Sequence, residues 1–264
     1  MGSEEFQSFV QYAIDHLVLG VLVLTRLSTL LMSMPAVGVG VPRRVRAFLA
    51  VTMTVLLLPP VAANLDPGSL PALDNLVDLA IAIAREGIIG LLIGATIQLI
   101  VTGLQLAGEA MSSTGGMQLA NSVDPTTKSN MPTLATFIGI FVTAVMFCVG
   151  GHRMILQVLV DSFDALPAGN VTFSDSMMSL IVEQLSAGVV AGIRVSAPVV
   201  ATLLLSNLLT GLISRTLPQI NVLAIGLSLN ALALLVVTTL TIGSVSLIFQ
   251  DELAKTIDRL NNLW

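Results

Sequence analysis

Long apolar runs separated by short polar segments dominate this chain, and they predict an all-α protein that spans a membrane. A helix needs about 20 apolar residues to cross a bilayer. Proline, paired glycines or charged residues close each run, as expected at helix ends and kinks. The predicted runs are Phe9–Met34, Ala47–Leu58, Leu76–Met111, Thr133–Val149 (resuming after Gly150 through Val160), Met177–Ile213 with a bend at Pro198, and Ile220–Phe249 with a short charged tail, Asp251–Arg259.

The lengths of these runs predict partner subunits. The third, fifth and sixth runs would each form a helix about 45–55 Å long, whereas the hydrocarbon core is about 30 Å thick. The second run stops at Pro59-Pro60 and is short for a full span. Tilting could fit one long helix into the bilayer, but it does not explain three such helices beside a run that is too short to span. We therefore expect long, kinked hairpins that pack against other apolar protein surfaces.

Composition supports a membrane protein. The 264 residues are 55% hydrophobic and 10% charged, whereas soluble domains carry about 25% charged residues. The net charge of −5 argues against nucleic acid as a partner, since such binding needs a basic surface. The first residues, Met1–Phe6, lack the cationic region of a cleavable signal, so the first run is expected to stay as a membrane helix.

The charged loops predict a topology. Arg43, Arg44 and Arg46 place the first loop in the cytoplasm and the N-terminus outside, because positive loops stay inside. Alternation then puts Lys128 and Arg215 inside and the acidic loops Asn64–Asp74 and Asp161–Asp175 outside; Arg153 is the exception.

Motifs for bond-making chemistry are missing from the sequence. There is no phosphate-binding loop, no HExxH and no GxSxG, the patterns that support nucleotide, zinc or serine-nucleophile sites. One cysteine and two histidines make no Cys/His zinc set. We expect no enzyme, no catalytic residue, no cofactor and no metal, and we expect Cys148 to be a small buried hydrophobe.

Polar residues inside apolar runs are costly and are therefore functional candidates. Two interpretations stay open: a polar conduit or ion relay, or groups that satisfy backbone at kinks or bond to partner helices. For Asn207 and Asn230, which face each other if the last hairpin is in register, we favour the second. The charged candidates are Arg26, Arg85, Glu86, Glu109 and Arg194.

Two polar segments and two glycine motifs complete the candidates. The segment Ser112–Pro125 carries Gly115-Gly116, and non-helical backbone at membrane depth must be buried in protein or line a cavity; an ordinary cytoplasmic connector is the alternative. The segment Ser214–Asn221 forms the turn of the last hairpin. The GxxxG motifs Gly90–Gly94 and Gly188–Gly192 predict close helix contacts.

Four stretches carry a resemblance to a known family. They are Pro35–Arg46, with Pro-Arg-Arg-Val-Arg; Gly90–Pro125, with Leu-Gln-Leu-Ala-Gly-Glu and Val-Asp-Pro; Gly150–Phe163, with Gly-Gly-His and Asp-Ser-Phe; and Gly211–Gly226, with Ser-Arg-Thr-Leu-Pro-Gln-Ile-Asn-Val. In this order they resemble the FliR family, the R-type subunit of the flagellar export gate, whose relatives serve type III secretion.

The resemblance implies a role and an assembly. It implies a non-enzymatic subunit that lines the conduit for unfolded flagellar proteins, in a hetero-oligomeric ring of hairpins with FliP-type and FliQ-type subunits. FlhB-type and FlhA-type subunits would lie nearby, in the basal body of the bacterial inner membrane. It also implies a P-like part, residues 1–175, and a Q-like hairpin, residues 176–264.

The resemblance also implies two sites. The hairpin tip, near residues 214–221, would face the cytoplasm and contact subunits through Arg215, Pro218, Gln219 and Asn221. The segment 112–124 would plug the closed channel. Its residues are Ser112, Ser113, Thr114, Gly115, Gly116, Met117, Gln118, Leu119, Ala120, Asn121, Ser122, Val123 and Asp124.

The plug segment departs from the family pattern. Where the family has a bulky Gln-Met before the glycine, this chain has Thr114-Gly115 after two serines. A smaller and more polar plug leaves more of the sealing to Met117, Leu119 and Val123. Two other functions stay open: a small-molecule secondary transporter, although no inverted repeat is evident, and a structural assembly scaffold of a membrane complex.

Overall fold

The computed structural model describes residues 3–38, 41–63, 76–116, 132–169, 175–216 and 221–263, and within them every regular element is an α-helix. The prediction of an all-α membrane protein is confirmed. The helices are α1 (Ser3–Ser33), α2 (Pro35–Gly38, a single turn), α3 (Arg43–Ala63), α4 (Leu76–Thr114), α5 (Thr133–Cys148), α6 (Gly151–Ala165), α7 (Asp175–Thr216) and α8 (Val222–Asn261).

Five of these helices are long and apolar enough to cross a membrane, and the count is six if α5 and α6 form one broken span. The break between α5 and α6 falls where the sequence predicts it, at Gly150, which has a φ of 80°. Helix α7 continues through Pro198 as one helix of 42 residues.

Predicted boundaries of α3, α6 and α8 are wrong. Helix α3 does not stop at Pro59-Pro60 but includes both prolines and runs to Ala63, although each proline removes one hydrogen bond of the helix. Helix α6 reaches Ala165 and not Val160. The charged tail belongs to α8, because Leu253, Ile257 and Leu260, spaced along one helix face, are buried.

The chain divides into two compact units. The first comprises residues 1–98, 150–182 and 255–264, and the second comprises residues 99–149 and 183–254. In the first unit α1 packs along α3. It also packs closely on α4, where a Cβ at Gly90 would overlap the backbone of Arg26 and one at Gly94 would overlap Ser33. The first GxxxG motif thus makes the close contact that it predicts.

The second unit is built on the other GxxxG motif. A Cβ at Gly188 would overlap the carbonyl of Leu99, and one at Gly192 would overlap the carbonyl of Gly103. The backbones of α7 and α4 therefore touch, as glycine allows. On another side of α4, a Cβ at Gly108 would overlap the backbone of Ala135 in α5. These contacts hold the C-terminal part of α4 between α5 and α7.

The outer helices keep large apolar side chains exposed. Only 17% of the α3 span and 17% of the α8 span are buried, against 61% of the α4 span. On α8, Leu240 is 78% exposed. Such surfaces require lipid or other protein around them. Cys148 is likewise exposed, so the expectation that it is buried is wrong: it lies beside exposed Phe147 and Val149 at the end of α5.

Candidate functional site

The predicted plug segment begins as helix, not as loop. Ser112, Ser113 and Thr114 form the last turn of α4, which corrects the predicted loop boundary. The hydroxyls of Ser113 and Thr114 donate to the carbonyl of Ala110, at 3.0 and 2.8 Å. Their hydrogen bonds are therefore made within the same helix. The other predicted plug residues, 117–124, lie outside the described residues.

Gly115 and Gly116 end the helix. The Gly115 N–H donates to the Met111 carbonyl at 3.0 Å and the Gly116 N–H to the Ser113 carbonyl at 3.2 Å. Gly116 has a φ of 75°, the left-handed conformation that glycine adopts at helix C-termini. Gly115 is buried, and a Cβ placed there would lie 3.5 Å from Leu234 and 3.7 Å from Leu203. The chain therefore leaves α4 between apolar side chains of α7 and α8.

A chain of hydrogen bonds holds this helix end to the α7–α8 hairpin. Asn207 Nδ2 donates to the Thr114 carbonyl at 3.2 Å. Asn230 Nδ2 donates to Asn207 Oδ1 at 2.7 Å, and Ser206 Oγ donates to Asn230 Oδ1 at 2.7 Å. We call Thr114, Ser206, Asn207 and Asn230 the polar clasp. It confirms that Asn207 and Asn230 meet across the hairpin.

The polar clasp lies away from the tip of the hairpin, and its exposed member is Asn207. Asn207 stands about 14 Å along α7 from the end of that helix at Thr216, at about 1.5 Å per residue. Ser206 and Asn230 are buried, with 7% and 6% of their surface exposed. The clasp uses an otherwise open carbonyl at the end of α4, since the last four carbonyls of a helix have no partner within it.

The predicted hairpin tip is only partly described. Ser214, Arg215 and Thr216 are the last turn of α7 and not part of the turn, which corrects its predicted start. Arg215 is exposed, in the last turn of a helix, where a cation is favourable. Asn221 caps α8, as its side-chain oxygen accepts a hydrogen bond from the Ala224 N–H at 3.3 Å. Pro218 and Gln219 lie outside the described residues.

A buried ion pair forms a second polar cluster, in the first unit. Arg26 of α1 and Glu86 of α4 are fully buried and joined through Arg26 Nε and Glu86 Oε2 at 2.5 Å. The other carboxylate oxygen accepts the Gly169 N–H at 2.9 Å. The guanidinium also lies over the Phe163 ring, 4.0 Å from its centroid, a favourable cation–π position.

The rest of the Arg26 guanidinium caps the end of α6. Nη1 donates to the carbonyl and the hydroxyl of Ser162, at 3.1 and 3.0 Å. Nη2 donates to the Leu166 carbonyl at 3.0 Å. These carbonyls belong to the last turn of α6 and the residue after it. The arrangement matches the interpretation in which Arg26 satisfies open backbone.

The other charged candidates do not join either cluster. Arg85 and Arg194 are exposed and Glu109 is half-buried. Among the described residues, no group of three or more His, Cys, Asp or Glu is placed to hold a metal ion.

No sequence pattern indicated Ser206 as a member of the polar clasp, or Ser162, Phe163, Leu166 and Gly169 as partners of the buried ion pair. Ser206 could have been found, because it precedes Asn207 and faces the partner helix on the same turn. Ser162, Leu166 and Gly169 contribute mainly backbone atoms, which no side-chain pattern reveals.

Both clusters lie within the part of the chain that matches a known protein family. Residues 17–256 match the family described as bacterial export proteins, family 1. The flagellar biosynthetic protein FliR of Caulobacter vibrioides is 26% identical over 238 residues, which are 90% of this chain and 93% of that protein. FliR of Escherichia coli is 29% identical over 204 residues, 77% of this chain and 72% of that protein. The surface presentation of antigens protein SpaR of Shigella flexneri is 28% identical over 149 residues, 56% of this chain and 57% of that protein.

Proposed function

This chain belongs to the bacterial export proteins, family 1, and we propose that it lines and plugs the conduit of a flagellar protein-export gate. The similarity to relatives named FliR and SpaR supports a component of flagellar or type III export. The apolar helices make it a membrane protein.

The place where the predicted plug segment leaves α4, at Thr114 and Gly115, carries the proposal. Thr114, where α4 ends, is held by Asn207 within the hairpin and not at its tip. The following glycine is buried beside Leu203 and Leu234. An ordinary connector leaves a helix at the protein surface, whereas irregular backbone among apolar helices is tolerated only inside protein or along a water-filled cavity. A segment that starts from this point favours a plug over a connector.

The assembly that we propose follows from the unburied surface. The exposed apolar faces of α7 and α8 need protein where they extend past the lipid. We propose FliP-type and FliQ-type subunits as neighbours in a ring, with FlhB-type and FlhA-type subunits nearby and unfolded flagellar proteins as cargo. In this proposal residues 1–175 are the P-like part and residues 176–264 the Q-like hairpin, and the complex sits in the inner membrane at the flagellar basal body. Catalysis has no part in it.

Deleting residues 115–121 tests the plug. We expect the complex to assemble and the membrane to leak ions, because the segment that closes the conduit is gone. Assembly is measured by co-purification of the neighbouring subunits, and leakage by conductance of the reconstituted complex. The matched control is a deletion of equal length, residues 65–71, in the predicted external loop.

The outcomes separate the candidate functions. If the complex assembles without residues 115–121 and its membrane remains impermeable to ions, the plug is refuted and a structural scaffold is favoured. Uptake of a small solute by liposomes that hold this chain alone would favour the transporter.

A further inference from the structure

Polar side chains follow one face of the second half of α4, a helix that is otherwise an apolar candidate span. Thr102, Gln105, Glu109 and Ser113 follow one another at intervals of three, four and four residues, so they fall within about 80° of the helix circumference. We call these four residues the polar stripe. Ser113 is exposed and the other three are half-buried, whereas Ser112, the remaining polar residue between Thr102 and Ser113, is buried.

The polar stripe lies on the side of α4 that its close helix crossings leave open. Gly103 faces α7 and Gly108 faces α5, where each lies against the backbone of the neighbouring helix. Gln105 borders α5, because its side chain lies over Gly139. Leu106, 43% exposed, borders the other edge of the stripe. The face between the two crossings is therefore polar and in need of a polar neighbour.

Lipid does not provide that neighbour. The stripe extends about 17 Å along the helix from Thr102 to Ser113, more than half of the hydrocarbon thickness of about 30 Å, so it is longer than a polar fringe at a helix end. Glu109 adds a carboxylate, and no described side chain or backbone N–H forms an ion pair or hydrogen bond with it. An acidic group in a membrane helix normally faces the protein interior or a water-filled cavity.

A tightly packed partner helix fits this face poorly. Membrane helices approach one another through small residues, and the glycines of this part of α4 are already used against α5 and α7. In the first unit, by contrast, the exposed side chains of α4 are apolar: Ile81, Ile88 and Leu91 are 45%, 48% and 54% exposed. The same helix thus suits lipid or apolar protein in its first half and water in its second half.

We propose that the polar stripe is the wall through which this chain lines the water-filled conduit, and that it leads along α4 directly to the plug segment. The stripe ends at Ser113, and the chain leaves the helix at the next two residues. Amide, hydroxyl and carboxylate groups keep such a wall wet, and they offer a passing unfolded chain no apolar surface to which it could adhere. This inference rests on the proposed conduit, and it names the face of the protein that forms it.

Labelling of introduced cysteines in the bacterium's own membranes tests the stripe. In a Cys148→Ser background, Thr102→Cys and Glu109→Cys are treated with a positively charged methanethiosulfonate, and the labelled fraction of the chain is measured by mass spectrometry over time. Leu91→Cys is the matched control, because Leu91 is 54% exposed in the apolar half of the same helix. We expect both stripe cysteines to react about tenfold faster than the control or more, because only the thiolate reacts and apolar surroundings disfavour it. Thr102→Cys changes the side-chain volume little, so the test stands even if Glu109→Cys disturbs assembly.

The outcomes separate this inference from the plug. Slow labelling at Thr102→Cys, equal to that at Leu91→Cys, would overturn the water-lined face. Fast labelling of the detergent-solubilised single chain with protection in the membrane would also overturn it, and would assign the stripe to a partner helix. Such protection together with ion leakage after deletion of residues 115–121 would leave the plug intact. Fast labelling in the membrane together with a deletion variant that does not leak would keep the water-lined face and refute the plug.

Discussion

Arg26 shows how this fold surrounds a buried charge with hydrogen-bond partners. Its guanidinium meets one carboxylate, two carbonyls, one hydroxyl and an aromatic ring. A buried charge is tolerated only when its hydrogen bonds are satisfied. This network joins α1, α4 and the end of α6 within one unit, and it favours a structural role for Arg26 over a polar conduit.

Removing one partner of this pair should be costly. Arg26→Met leaves Glu86 buried without its cation, and breaking such a pair typically costs about 3–5 kcal/mol. We expect a large fall in the thermal midpoint of the detergent-solubilised protein. The double variant Arg26→Met with Glu86→Leu should recover much of the loss, because no unpaired charge remains.

Arg85 provides the control for the Arg26 and Glu86 variants. It precedes Glu86 in sequence but is exposed, and Arg85→Met should change the thermal midpoint little, since surface substitutions usually lie within about 0.5 kcal/mol. A single Arg26→Met variant as stable as Arg85→Met would contradict the role given to the pair.

Single residues were partly predictable. Arg26 and Glu86 stand out because charge inside an apolar run is rare, but the sequence does not reveal that they meet. Asn207 and Asn230 could be paired, because one hairpin in register fixes their neighbours. Their bond to Thr114 depends on how α4 packs against the hairpin, which periodicity does not determine.

Glycine decides how closely the helices pack. The GxxxG motifs predict close contacts but not their partners: the second motif meets Leu99 and Gly103 of α4. Gly103 belongs to neither motif, so its part in the crossing becomes visible only in the structure.

Adding one methyl group at this crossing should separate the helices. A Cβ at Gly103 would overlap the backbone of Gly188, and backbone cannot rotate away as a side chain can. We expect Gly103→Ala to cost about 3 kcal/mol, the upper part of the range for overpacking, measured as a fall in the thermal midpoint.

Gly243 offers a matched substitution in another long helix. A Cβ there meets nothing within 4 Å. Gly243→Ala should be neutral or stabilise by up to about 1 kcal/mol, because alanine favours helix over glycine. If both variants had the same midpoint, the close crossing of α4 and α7 would be disproved.

The break between α5 and α6 depends on backbone conformation and not on space. Gly150 has a φ of 80°, and a Cβ there meets nothing within 4 Å. Gly150→Ala should therefore cost about 1–2 kcal/mol through the left-handed backbone alone. Gly150→Asn should cost less, since asparagine tolerates this conformation. Equal thermal midpoints for the two variants would contradict this explanation.

Element boundaries were harder to predict than the elements themselves. Pro59-Pro60 is a strong stop signal, yet α3 includes both prolines and extends one turn further. The charges of Asp251–Arg259 obscured a helical spacing of Leu253, Ile257 and Leu260 that the sequence does contain. In the tail, burial of that helix face outweighed the charged composition.

At the scale of the whole molecule, helix length is the dominant feature. Helices α4, α7 and α8 have 39, 42 and 40 residues, which corresponds to about 60 Å each. That is about twice the hydrocarbon thickness. The sequence predicted this excess, since the apolar runs are nearly continuous, but it could not predict which faces stay uncovered. Those exposed faces are the reason to expect neighbouring subunits.

The native mass of the gently solubilised complex tests this account most directly. The protein should be extracted from its own membrane in mild detergent and weighed by native mass spectrometry. We predict a complex several times heavier than the 27.6 kDa chain, with its neighbouring subunits in a fixed ratio. A folded, stable species with the mass of the single chain would contradict the conclusion that this protein is one subunit of a larger export conduit.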